Sequence, residues 1–203
     1  MKAIGVLVSG RGSNLQALIG EAREGRLGGE VGVVVSNVEG APALDKARAA
    51  GVPALVRDHR GKTREEHDRA VLRVLQDHGV ELVCLAGYMR LLSPAFLGAL
   101  PRRVVNIHPS LLPAFPGLDA QRQAWEHGVK VAGATVHLVE EALDAGPIVM
   151  QEAVSVRPDD TADSLAARIL EAEHRLYPRA VRLLLGGRWH LEGRRFIADQ
   201  EPA

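Results

Sequence analysis

Three short stretches of this 203-residue chain place chemically able side chains at useful spacing. Asn106-Ile107-His108 follows a β-branched apolar run, and strand alternation turns Asn106 and His108 to the same side. An amide donor beside a titratable imidazole can hold a developing oxyanion and move a proton, although the same pair also fits two satisfied structural side chains. Ser9-Gly10-Arg11-Gly12-Ser13-Asn14 lies between an apolar run and a helical pattern, where backbone amides and the helix dipole converge. That loop suits a single phosphate on a small molecule, with Gly12, Ser13 and Asn14 donating. It equally suits a glycine turn in which Ser13 or Asn14 caps the helix. Asp144 stands in the turn 143–147. Folded back to His108, its carboxylate would favour the charged imidazole and raise the imidazole pKa; without that approach the turn has no chemistry.

Common nucleotide motifs do not fit the loop. The third glycine of a dinucleotide fingerprint would fall at Leu15, and the second strand ends in Ser36 and Asn37 rather than an acid. The residue directly before Ser13 is Gly12 and not the lysine a Walker loop requires. Further along, Tyr88 and the run Met89, Arg90, Leu91, Leu92 form a mixed apolar wall able to hold a flat heterocycle, or simply core and rim. Arg64 opens a helix and could meet a ligand carboxylate or stay solvated. Glu173 and His174 read by default as surface charge on a long helix. His137 reads as a strand histidine hydrogen-bonded in the core, with the other histidines on polar helical surfaces. No ligand pair has metal-site spacing, so no metal is expected.

The elements that must position these residues follow from periodicity. Apolar runs at 3–8, 31–35, 53–56 and 82–86 alternate with helical patterns at 14–23, 43–50 and 64–76, which implies a parallel sheet covered on both faces. The strand at 104–107 runs into a proline-rich segment, 111–117, expected to be an ordered loop. Residues 131–140 and 148–156 fit an antiparallel pair, and 162–185 a long helix with Pro178 as a kink or a boundary. The tail reads only as a short polar and aromatic extension.

Composition bounds the function classes. Lys and Arg number 25 against 25 Asp and Glu, so no basic footprint for nucleic acid exists. No apolar run approaches the ~20 residues a bilayer needs, and the N-terminal run is too short for a signal segment. Neither a nucleic acid nor a membrane partner is expected, and a cytoplasmic location is. The one cysteine, Cys84, sits in an apolar run and permits no intrachain disulfide.

Taken in order, Ser9-Gly10-Arg11-Gly12-Ser13-Asn14-Leu15-Gln16, Gly87-Tyr88-Met89-Arg90-Leu91-Leu92-Ser93-Pro94, Asn106-Ile107-His108-Pro109-Ser110-Leu111-Leu112-Pro113 with Phe115-Pro116-Gly117, and Asp144-Ala145-Gly146-Pro147-Ile148 resemble the phosphoribosylglycinamide formyltransferases, folate-dependent enzymes of purine biosynthesis. The resemblance covers nearly the whole chain. It implies an α/β class, a Rossmann-like formyltransferase fold with a mixed, mostly parallel seven-stranded sheet flanked by helices. It also implies one domain, 1–203, with a phosphoribosyl half at 1–100 and a folate-binding and catalytic half at 101–203. The implied substrates are glycinamide ribonucleotide and 10-formyltetrahydrofolate, the latter as cosubstrate, acting on a monomer or homodimer.

The resemblance assigns catalysis to Asn106, His108 and Asp144, phosphate binding to Gly12, Ser13 and Asn14, and a ribonucleotide contact to Glu173. Folate binding goes to Arg64, Met89, Arg90, Leu91, Leu92 and Asn106. Asp119 stands where some members have histidine, and Leu170 where others have a polar or basic residue. A formyltetrahydrofolate hydrolase resembles the same fold but usually carries an extra N-terminal domain. Methionyl-tRNA formyltransferase shares the Asn-x-His segment but normally adds a C-terminal domain. A noncatalytic phosphate-ligand module is the alternative from another class.

Overall fold

A computed structural model describes residues 1–198. In chain order the first elements are β1 (Ala3–Val8), α1 (Ser13–Arg23), β2 (Glu30–Ser36), α2 (Pro42–Ala49), β3 (Ala54–Val56), α3 (Arg64–Asp77), β4 (Val80–Leu85), α4 (Pro94–Ala99) and β5 (Val104–His108). β1 pairs in parallel with both β2 and β4, β2 with β3, and β4 with β5. Strands with helices on either side cannot alternate polar and apolar residues. Accordingly β1 is buried from Ile4 to Val8 and β4 from Leu82 to Leu85.

Local sequence sets where the helices begin. Thr63 accepts from the Glu66 amide while Glu66 reaches back to the Thr63 amide, a reciprocal cap that starts α3. Ser93 accepts from the Phe96 amide and Pro94 occupies the first turn of α4, where a missing N–H has no cost. The sequence reading did not anticipate α4, because six residues are too few to show a period.

The chain divides into two compact units, the first Met1–Asn106 and the second beginning at Ile107. The second contains α5 (Ala120–His127), β6 (Val131–Leu138), β7 (Ile148–Ser155), α6 (Ala162–Gly186) and a hairpin of β8 (Trp189–Glu192) and β9 (Arg195–Ala198). β6 and β7 are antiparallel, as the alternation predicted. The strand order is β3-β2-β1-β4-β5-β6-β7, a mixed and mostly parallel seven-stranded sheet, with β8-β9 separate. Pro178 neither ends nor divides α6, which runs through it for 25 residues. Residues 189–198, read in sequence only as a polar and aromatic extension, form a hairpin in which Trp189 stacks on Phe196 with ring centroids 5.0 Å apart.

The proline-rich segment after β5 is ordered by side chains instead of a backbone ladder. The buried Thr135 hydroxyl on β6 donates to the Ser110 carbonyl at 2.6 Å and accepts from the Leu112 amide at 3.0 Å. Gln151 on β7 donates to the Leu112 carbonyl and to the same Thr135 oxygen, each at 2.9 Å. Ser110 closes the loop by donating to the Ala114 carbonyl. Among the described residues no helix is long and apolar enough to cross a membrane.

Thr135→Val keeps the side-chain volume and removes the three bonds of the Thr135 hydroxyl, leaving the buried Leu112 amide and the Ser110 carbonyl short of partners. It is expected to lower stability by about 2–3 kcal/mol, read as a shift in denaturant midpoint, whereas Thr135→Ser stays close to the parent.

Candidate active site

Strand β5 ends on His108, and its period of two puts Asn106 and His108 on one side, two residues apart. His108 is 4% exposed and cannot reach bulk water freely. Its Nε2 lies 2.9 Å from the Phe115 carbonyl oxygen, which can only accept, so Nε2 carries a proton there. Its Nδ1 faces Asp144 Oδ2 at 3.4 Å. The imidazole thus stands between two acceptors.

The 143–147 turn does fold back. Asp144 adopts φ 49°, left-handed backbone that aspartate tolerates better than most residues. Gly146 lies so close under β6 that a Cβ there would run into the Leu138 carbonyl oxygen. The Leu138 amide completes the approach by donating to the Pro147 carbonyl at 2.9 Å. The returned carboxylate accepts from the Gly117 amide at 2.8 Å through Oδ2, and its Oδ1 stands 3.7 Å from His137 Nε2. His137 Nδ1 in turn donates to the Leu138 carbonyl at 2.9 Å, which leaves Nε2 turned to the acid.

Burial by itself pushes the Asp144 carboxyl up. The His137 contact, the Gly117 amide and the two facing imidazoles outweigh that and hold it below the ordinary aspartate value. Sequence reasoning found His108 and Asp144 but missed His137 and Gly117. His137 was legible as a buried strand histidine, and its place one residue before the end of β6, where the 143–147 turn returns, was the signal for its second role.

The first unit holds the glycine loop and the 89–92 segment. Gly12 caps α1 with φ 73° and no side-chain bond, so neither Ser13 nor Asn14 is the cap. The N-cap residue therefore offers no side-chain acceptor to the first-turn amides, an arrangement that suits an anion. Glycine is required at this position twice over, because a Cβ would also come within 2.6 Å of the Ala43 methyl on α2. The Ala43 amide donates to the Gly10 carbonyl at 3.1 Å, seating the loop on that helix. Ser13 is half-buried and Asn14 buried.

Met89 and Leu91 are 65% and 54% exposed, large apolar side chains held in solvent, while Leu92 is buried and Arg90 half-buried. Arg64 opens α3, exposed and 3.6 Å from Glu65. Two histidine and acid placements depart from the sequence reading. Glu173 is not a surface charge but 6% exposed within α6, and His67 is fully buried on α3 with Nε2 2.7 Å from the Arg57 carbonyl. Asp119 is exposed at the start of α5 with φ 54°, and Leu170 is half-buried on α6. No group of three metal-ligating side chains occurs among the described residues.

The formyl transferase model matches residues 2–181. The chain belongs to the formyl transferase family. It is 40% identical over 187 residues to the phosphoribosylglycinamide formyltransferase of Bacillus subtilis, covering 92% of this chain and 96% of that one. It is 48% identical over 185 residues to the trifunctional purine biosynthetic protein adenosine-3 of Gallus gallus, matching 91% of this chain while spanning 18% of that relative's length. Among solved structures, glycinamide ribonucleotide transformylase 1 from Symbiobacterium toebii superposes with a TM-score of 0.95 at 56% identity, over 98% of this chain and 95% of that one.

A depressed carboxyl pKa stabilises the folded state above the unfolded aspartate value of about 3.9, and that contribution is lost as pH falls through the lower folded value. Asp144→Asn should therefore be less stable than the parent at pH 7, with the gap closing toward pH 3. Parallel denaturant titrations at the two pH values check this.

Proposed function

We propose that this formyl transferase moves the formyl group of 10-formyltetrahydrofolate to the amine of 5'-phosphoribosylglycinamide, releasing tetrahydrofolate and 5'-phosphoribosyl-N-formylglycinamide for purine nucleotide synthesis. The observation that carries the reading is His108 held between the Phe115 carbonyl and Asp144, at the end of the strand that bears Asn106. Acyl transfer between two nitrogens needs an oxyanion stabiliser and a proton path but no enzyme nucleophile, and this group provides those and nothing more.

In the proposed reaction the amine lone pair attacks the formyl carbon and the carbonyl electrons move to oxygen. The Asn106 amide and the His108 Nε2–H, released from Phe115, hold the resulting oxyanion while Nδ1 stays toward Asp144. Collapse re-forms the carbonyl and breaks the bond to the folate nitrogen, which takes up the proton that the amine gives away. Asp144 keeps the imidazole oriented and helps order a water for that proton transfer. Holding both reactants converts a bimolecular step into a local one and supplies much of the acceleration.

The Gly12, Ser13 and Asn14 amides would carry the phosphate, whose charge suits the uncapped start of α1. Buried Glu173 would contact the ribonucleotide. Arg64 would meet a folate carboxylate, and Met89, Arg90, Leu91 and Leu92, with Asn106, the pterin side, where exposed Met89 and Leu91 would gain cover. Small-molecule substrates fit a cytoplasmic enzyme acting as a monomer or homodimer.

Purified protein with 10-formyltetrahydrofolate should release tetrahydrofolate only when glycinamide ribonucleotide is present; release without it would mean hydrolysis, and no release a binding module. His108→Ala should lower kcat by about 10²–10⁴-fold with both KM values within about threefold. Unchanged turnover in that variant would exclude His108 as the proton carrier.

A further inference from the structure

Beyond Leu85 the chain leaves the sheet, and residues 86–93 adopt no regular structure before α4. Ordering such a segment costs conformational entropy, which a ligand would have to meet on binding unless the protein has already met it. Here the two ends are held. Tyr88 and Leu92 are buried, so that residues 89–91 bridge two sunken side chains. The backbone at each end is also fixed by a side chain from elsewhere in the first unit.

At the near end the Met89 amide donates to Ser9 Oγ at 2.8 Å. The Ser9 hydroxyl spends its own proton on Asn37 Oδ1 at 2.6 Å, which leaves its lone pairs for Met89. Asn37 is buried and in contact with His59 Nδ1 at 3.2 Å. A backbone bond from the Ser9 amide to the Gly87 carbonyl, 3.1 Å, runs beside this one. At the far end the Ser93 amide donates to Asp68 Oδ2 at 2.6 Å. Asp68 is 1% exposed, and burial pushes its carboxyl up, but His67 and the Ser93 amide and hydroxyl more than offset this and keep it ionised. Ser93 itself caps α4. A buried charged acceptor on one amide is a costly device for packing alone, and a charge-assisted bond fixes geometry more tightly than a neutral one.

We infer that Ser9 and Asp68 are positioning residues for the cosubstrate: they touch neither reactant but hold the two ends of residues 89–92 in the shape that receives the folate. This rests on the function proposed above.

The test uses the full chain and two readouts. Ser9→Ala removes the Met89 acceptor, and one net hydrogen bond of about 0.5–1.5 kcal/mol corresponds to a roughly two- to tenfold change. The KM for 10-formyltetrahydrofolate should rise by that factor with kcat within about twofold, and Ser9→Thr should restore it. Asp68→Ala should act in the same direction, whereas Asp68→Asn, which keeps an acceptor oxygen, should recover most of the loss. In the ligand-free protein, Ser9→Ala should accelerate hydrogen exchange of a peptide covering 88–93 while a peptide covering β5 exchanges as before. A wild-type folate KM or unchanged 88–93 exchange in Ser9→Ala overturns the inference, as does an equal rise in both substrate KM values with general loss of protection. Should the parent show no formyl transfer at all, the proposed function fails, and the exchange measurement still decides whether the segment is tethered.

Discussion

The site depends on one carboxylate being kept charged where water is scarce. Desolvating an aspartate favours its neutral form, and a protonated Asp144 would offer the imidazoles little. The fold counters this with an amide from Gly117 and two facing rings, so that the charge is shared among several partners. The carboxylate and its three partners arrive on four different stretches of chain: the returning turn, the proline-rich loop, the end of β5 and the end of β6. The second unit can be understood as the set of constraints that make those four meet, with Thr135 and Gln151 fastening the loop and Gly146 allowing the turn to lie flat on β6.

Much of this was legible in the chain itself, and for identifiable reasons. The apolar runs of β1 and of β4 from Leu82 to Leu85 implied a sheet covered on both faces, and the alternation across 131–140 fitted one side of an antiparallel pair. The Asn-x-His spacing fixes two side chains on one face wherever a strand ends, so their juxtaposition needed no tertiary information. Asp144 was different, because nothing local says which way a turn folds.

What stayed hidden depended on packing. His67 and Glu173 carry polar side chains on helices, where composition argues for solvent, yet both are buried, His67 with Nε2 against the Arg57 carbonyl. α4 and α5 are too short for their period to show, and the β8-β9 hairpin combines a short antiparallel ladder with a Trp189–Phe196 stack that four-residue strands do not announce. Pro178 was read as a punctuation mark, but the amphipathic face of α6 on either side of it is long enough to carry the helix through.

The contact between Gly12 and Ala43 bears on how this scaffold can vary. With a methyl group of α2 lying directly beneath the backbone that opens α1, the shape of the glycine loop is gauged by a neighbouring helix as well as by the loop's own residues. Positions 12 and 43 therefore form a matched pair of small residues. A lineage that enlarges either one must reshape the curvature of the loop, and with it the size of the group that the proposed phosphate site would accept.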